Sequence, residues 1–147
     1  SCPRDAPRSR EYNVRFGEPE PVAFLPLVTG DFAGLLHSAA LGALRPELIS
    51  EKSGATCCVI LAAAGYPGPV RGGDEIFGLD DAAQDALIFH AGTSVTGGKP
   101  ATKGGRVIAV VGEGASIGAA RARAAAAIQK IHWRGMQFRD DIGQGQA

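Results

Sequence analysis

Three apolar runs, each closed by glycine, limit the fold of this chain more than any other feature of its sequence. Thr56 to Ala63 carries β-branched Val59 and Ile60 and ends in Gly65-Tyr66-Pro67-Gly68-Pro69. Ala86-Leu-Ile-Phe-His-Ala91 and Arg106-Val-Ile-Ala-Val-Val111 repeat the pattern. Short continuous apolar runs bounded by turn residues read as buried strands, so three central strands are predicted. Asp74-Glu-Ile-Phe77, charged and flanked by Gly72, Gly73 and Gly78, reads as a short edge strand. The connections are short and glycine-rich, which suits antiparallel pairing rather than the long crossovers of a parallel sheet.

Two segments carry helical spacing. From Asp31 to Leu44 the apolar residues Phe32, Leu35, Leu36, Ala39 and Leu41 recur after an acidic start, predicting a helix that ends near Gly42. Ser116 is a good N-cap for a second helix running to about Lys130, with Ile117, Ala120, Ala124, Ile128 and Ile131 on one face. Its alanines permit close packing. The fold class predicted is α+β: a small, mostly antiparallel sheet with flanking helices.

Composition excludes several function classes. Fifteen Lys and Arg balance fifteen Asp and Glu, so no net field favours nucleic acid or anionic lipid, and neither partner is expected. The longest apolar stretch, Cys57 to Gly65, falls well short of the roughly 20 residues a membrane helix needs. Ser1 to Arg10 is polar and basic, without the apolar centre of a secretory signal, which predicts a cytoplasmic protein. The same ten residues, lacking an initiating methionine, read as the loose end of a fragment or processed chain. Cys2, Cys57 and Cys58 make an odd set without zinc spacing to His37, His90 or His132, and read as reduced, buried thiols.

Chemistry concentrates near the amino end. In Glu11-Tyr12-Asn13-Val14-Arg15 the residues Glu11, Asn13 and Arg15 alternate, so an extended segment projects all three from one face. A carboxylate and an amide oxygen are hard donors suited to Mg2+, and a guanidinium beside them can stabilise a transferring phosphoryl group. By itself the pattern fits a solvated strand face equally well.

The continuation Arg15-Phe-Gly-Glu-Pro-Glu20, then Gly65-Tyr-Pro-Gly68, Phe89-His-Ala-Gly-Thr93, Thr102-Lys-Gly-Gly-Arg-Val107 and Asp141-Ile-Gly143, resembles the glycinamide ribonucleotide synthetases over about Ala6 to Gly143. That family belongs to the ATP-grasp ligases. The resemblance implies a remnant of the ATP-grasp module with the metal-ligand motif over residues 1–30, and a carboxyl-terminal domain over 31–147. It implies ligation of glycine to 5-phosphoribosylamine through glycyl phosphate, with ATP as co-substrate. It also implies Glu11 and Asn13 as ligands of Mg2+ or Mn2+, and Arg15 as a catalytic stabiliser of the transferring phosphate. The missing ATP-grasp lobes are the implied partner, without which the chain is expected to be inactive.

Thr102, Gly104, Gly105 and Arg106 together offer a hydroxyl, backbone amides and a guanidinium to a substrate phosphate. A tight turn ahead of a strand explains the same residues. His90 reads as a hydrogen-bonded core histidine, and Asp140 and Asp141 as solvated or capping groups. Departures from the family pattern are Arg8-Ser9-Arg10 in place of apolar residues, Glu18 in place of Asp, and Val22 in place of Gln. The competing expectations are a non-catalytic scaffold domain, or an independent sugar-phosphate binder using the Gly-Gly-Arg turn.

Overall fold

A computed structural model describes residues 15–145; Glu11, Asn13 and Cys2 lie outside this range. A short helix α1 (Glu20–Phe24) leads through a 3-10 turn into β1 (Val28–Gly30) and α2 (Phe32–Ala40). A second 3-10 turn precedes β2 (Ile49–Glu51) and β3 (Ala55–Ala62). Then follow the single-turn α3 (Leu79–Ala82), β4 (Leu87–His90), β5 (Thr93–Thr96), β6 (Lys99–Thr102), β7 (Arg106–Gly114) and α4 (Ile117–Ile128).

The main sheet has the order β3-β7-β4, antiparallel throughout. Its register pairs Cys57 with Gly112, Val59 with Val110 and Leu61 with Ile108, while Ile88 on β4 meets Val110 from the other side. Opposed residues share a face, so these side chains form one apolar surface. Against it lies α4, through the buried residues Ala120, Ala124, Ala127 and Ile128. Ile76, Ala82, Ile131 and Trp133 close the core around the helix end. Each fully buried Leu, Ile or Val contributes about 1.5–3 kcal/mol. Small residues decide how close the layers come: a Cβ built on Gly112 would overlap the Ala120 carbonyl and stand 2.6 Å from the Ala124 amide.

Both helix starts follow the sequence. The Asp31 carboxylate accepts from the Gly34 amide at 2.8 Å, and the Ser116 hydroxyl from the Ala119 amide at 3.2 Å. Helix α2 stops at Ala40, followed by Gly42 at φ +69°, where the chain reverses. The Ser38 hydroxyl secures that reversal, donating to Leu35 O at 2.7 Å and accepting from Arg45 N at 3.0 Å.

Two expectations need correction. Of the three predicted central strands only β7 is flanked on both sides within its sheet; β3 and β4 lie at its edges. An apolar run reports burial under a helix as readily as burial between strands, and Leu87 and Phe89 of β4 remain 38% and 39% exposed. Asp74–Phe77 is not an edge strand but two isolated bridges, Glu75 to Ala101 and Phe77 to His132. The segment changes partner between them, so no ladder extends. The hairpin β5–β6 was not predicted, although its tip Gly97-Gly98, with φ +59° and +80°, has the both-positive geometry of a tight hairpin turn. A further antiparallel pair, β1 with β2, joins residues on either side of the boundary expected at 30/31.

Cys57 and Cys58, adjacent on β3, point to opposite faces of the sheet. Burial pushes both thiols up, that of Cys58 to about 11. The nucleophile is the thiolate, so alkylation by iodoacetamide at pH 8 should run at least about ten-fold slower in the folded chain than in urea. Its rate should still climb between pH 9 and about 11, beyond the range of a free thiol near 8.5. Equal folded and unfolded rates would contradict the burial of the pair.

Candidate functional site

Arg15 is the first described residue and is exposed, its Nη1 donating to the neighbouring Phe16 carbonyl at 3.0 Å. The chain that follows is tied to the sheet at two points. Arg106, at the start of β7, donates from Nη1 to the Glu18 carbonyl at 3.0 Å, with Nη2 3.5 Å from the Glu18 carboxylate. Thr56, near the start of β3, donates to the Ala23 carbonyl at 2.6 Å. Because β3 and β7 run antiparallel, these two ties sit at opposite ends of the pair. Residues 18–23 therefore lie along the sheet, on the face away from α4 where Thr56 projects by alternation from Cys57. Phe16 adds an aromatic contact to Phe24 and Phe32, with ring centroids 6.0 and 6.2 Å apart.

The Thr102–Arg106 turn is built from motifs far apart in sequence. The amides of Lys103 and Gly104 both donate to the Gly92 carbonyl, at 2.8 and 3.0 Å, and the Gly92 amide donates to the Arg106 carbonyl at 2.8 Å. A Cβ on Gly92 would stand 2.7 Å from Gly104 Cα, so two glycine backbones meet where no side chain fits. The Tyr66 ring fills the space beside Gly105, whose carbonyl accepts from the Ala63 amide at 2.9 Å. Thr102 is buried, and its hydroxyl accepts from the Asp74 amide at 3.1 Å. Asp74 in turn faces Arg134 at 3.3 Å and Arg71 at 3.7 Å. The four residues expected to meet a substrate phosphate are thus together, but the Thr102 hydroxyl and the Gly104 amide have partners inside the fold. Arg106 is the one whose side chain reaches the surface.

Beside Arg106 opens a cleft of about 340 Å³, lined by the apolar Ile60 and Ala62, the aromatic Tyr66 and Phe138, and Gln137 and Arg139 as well as Arg106 itself. Gln137 shapes it. Its side-chain amide donates to the Tyr66 carbonyl at 2.7 Å and the Ala63 carbonyl at 3.1 Å, while its backbone pairs with Ala62. Neither Gln137 nor Glu18 was among the expected site residues. A lone amide in a loop and a carbonyl contact 88 residues away leave no periodic trace in sequence.

Arg139 binds Asp141, and that guanidinium holds the Asp141 carboxyl below its usual range. Arg121 of α4 donates to the carbonyls of Asp140 and Ile142, fastening this end of the chain to the helix. His90, expected in the core, is exposed, because β4 is an edge strand; its Nδ1 lies 3.1 Å from the Thr93 hydroxyl. Among the described residues no three His, Cys, Asp or Glu side chains are grouped to hold a metal ion. No described helix is long and apolar enough to cross a membrane.

Residues 56–145, which include the main sheet, α4 and the converging turns, match the family model described as Phosphoribosylglycinamide synthetase, C domain. The chain belongs to this family. It is 39% identical to a phosphoribosylamine–glycine ligase of Caldanaerobacter subterraneus subsp. tengcongensis, over 97% of this chain and 34% of that protein. It is 44% identical to a ligase of the same name from Synechocystis sp., over 90% of this chain and 32% of that one. The crystal structure of the phosphoribosylamine–glycine ligase of Thermotoga maritima superposes with a TM-score of 0.79 at 34% identity, covering 90% of this chain and 32% of that one. The chain thus spans about a third of the length of the curated relatives it matches. The α+β architecture expected from the sequence is that of the synthetase C domain.

Proposed function

We propose that this chain is the carboxyl-terminal part of a cytoplasmic ATP-dependent ligase of purine synthesis, which joins glycine to 5-phosphoribosylamine. In that reaction the glycine carboxylate takes the γ-phosphoryl group of ATP to give glycyl phosphate and ADP. The amine of phosphoribosylamine then attacks the acyl carbon, forming the amide and releasing phosphate. Residues 1–30 belong to the ATP-grasp module in this reading, and 31–147 to the carboxyl-terminal domain.

The family match supports it. The similarity to the Caldanaerobacter ligase covers 97% of the chain, so it cannot stop short of Glu11. Glu11 and Asn13 would hold a divalent cation, Mg2+ or Mn2+; one carboxylate and one amide oxygen are a hard donor set that leaves positions for phosphate oxygens. A cation held there would neutralise charge on the ATP phosphates. Arg15, two residues on, would face the transferring phosphoryl group, where a planar guanidinium can bridge two oxygens.

Two measurements test this reading. The 147-residue chain by itself should show no calorimetric binding of Mg-ATP in the micromolar range, because in this reading the nucleotide is enclosed by ATP-grasp lobes outside the third of the ligase relatives that the chain spans. A dissociation constant near 1 μM, about −8 kcal/mol, would overturn that division of labour. Joined behind the preceding lobes of the Synechocystis relative, the chain should form glycinamide ribonucleotide from glycine, phosphoribosylamine and Mg-ATP. A well-folded fusion that makes none would overturn the proposed function.

A further inference from the structure

We propose that Arg106 is a positioning residue: it clamps the Glu18 backbone to the start of β7 and so holds the Arg15–Glu18 segment at that end of the sheet. The inference rests on the proposed function for the role of that segment, whereas the clamp itself rests on geometry alone.

One side of the clamp is rigid. Arg106 leaves β7, whose next five residues, Val107 to Val111, are all buried. Its guanidinium reaches back 88 residues to the Glu18 carbonyl at 3.0 Å, with the Glu18 carboxylate 3.5 Å from the second nitrogen. A backbone carbonyl cannot swing away as a side chain can, so two contacts to one residue fix both its position and its orientation. The pair is partly exposed, with side chains 37% and 63% accessible, and such pairs add little to stability. Its effect is on placement. Glu18 lies three residues beyond Arg15 and five beyond Asn13. The other polar tie on this stretch, Thr56 to Ala23, is farther along and at the opposite end of the sheet. Loss of Arg106 frees the chain next to Arg15, and misplacing a reacting group by about 1 Å can cost about 10²-fold in rate. The same geometry directs both terminal nitrogens of Arg106 at Glu18, so the guanidinium serves this contact rather than a substrate phosphate.

The test separates the two roles. Amide hydrogen exchange on the 147-residue chain comes first: Arg106→Ala should speed exchange across residues 16–22 while β3 and β7 keep their protection. In the complete enzyme Arg106→Ala should lower kcat and raise the Mg2+ concentration for half-maximal rate by about 10-fold or more, with KM for phosphoribosylamine changed less than about two-fold. Arg106→Lys should fall between, because an ammonium cannot make both contacts. Glu18→Gln, which keeps the carbonyl contact and loses the carboxylate charge, should also fall between wild type and Arg106→Ala. Unchanged exchange at 16–22 would overturn the clamp. A raised KM for phosphoribosylamine with an unchanged Mg2+ response would overturn positioning in favour of phosphate contact. A wild-type fusion without ligase activity, alongside the expected exchange result, would remove the proposed function and leave the clamp standing.

Discussion

Glu11→Gln and Asn13→Ala should each lower turnover of the complete enzyme by about 10²- to 10³-fold, the range seen when one preorganised electrostatic contact to the reacting group is removed. Charge held on the phosphates matters most during transfer, so the loss should appear in kcat more than in KM for glycine or phosphoribosylamine. Raising Mg2+ should partly rescue Glu11→Gln, whose amide still offers one oxygen. It should not rescue Arg15→Lys, in which the proposed metal ligands are intact and the planar fork is missing. Steady-state rates across a Mg2+ series, with circular dichroism to establish folding, make the comparison. Near-normal turnover of a folded Glu11→Gln enzyme at limiting Mg2+ would show that Glu11 is no metal ligand.

A large effect on stability is expected at Gly112. Any side chain there meets the Ala120 carbonyl and the Ala124 amide, both backbone atoms of α4 that cannot rotate aside. Gly112→Val would have to lift α4 from the sheet and part Val59, Val110 and Ala124. Overpacking typically costs about 1–3 kcal/mol, and a clash with backbone belongs at or above the top of that range. A domain of this size has about 5–15 kcal/mol in all, so the urea midpoint should fall steeply. Gly97→Ala provides the contrast. Its Cβ would meet no atom within 4 Å, leaving only the strain of φ +59°, about 1–2 kcal/mol. A Gly112→Val midpoint no lower than that of Gly97→Ala would contradict the contact between α4 and β7.

The sheet and both principal helices are legible in the sequence because periodicity and end signals agree there: Ser116 and Asp31 cap, and Val59, Leu61, Ile108 and Val110 share one face. Strand order is not legible. Composition cannot show that Leu87 and Phe89 sit at an edge, and the same ambiguity misplaced His90. The Gly97-Gly98 signal for a hairpin was present, but its flanking strands, Thr93–Thr96 and Lys99–Thr102, lack the apolar alternation that would have marked them. At the candidate site the motifs are visible one by one, whereas their meeting is not. That Gly92, Gly104 and Tyr66 converge depends on close backbone approach, which glycine permits but does not announce. The Arg106 contact with Glu18 joins residues whose separation erases any pattern.

The pairing of β3 with β7 also sets an order in time. Leu61 finds Ile108 and Ala55 finds Gly114, so as the chain leaves the ribosome β3 waits through about 50 further residues, some 3–10 s at 5–20 residues per second. Strand β7 and helix α4, by contrast, are joined by Ala115 and Ser116 alone and can meet at once. Local contacts form faster than distant ones, so the β7–α4 unit is the surface onto which the older strand docks. Until then Ala55–Ala62 is an uncharged, β-prone segment without a partner, the kind of stretch through which incomplete chains aggregate. Synthesis halted between β3 and β7 should therefore yield insoluble product, and synthesis carried through α4 soluble product.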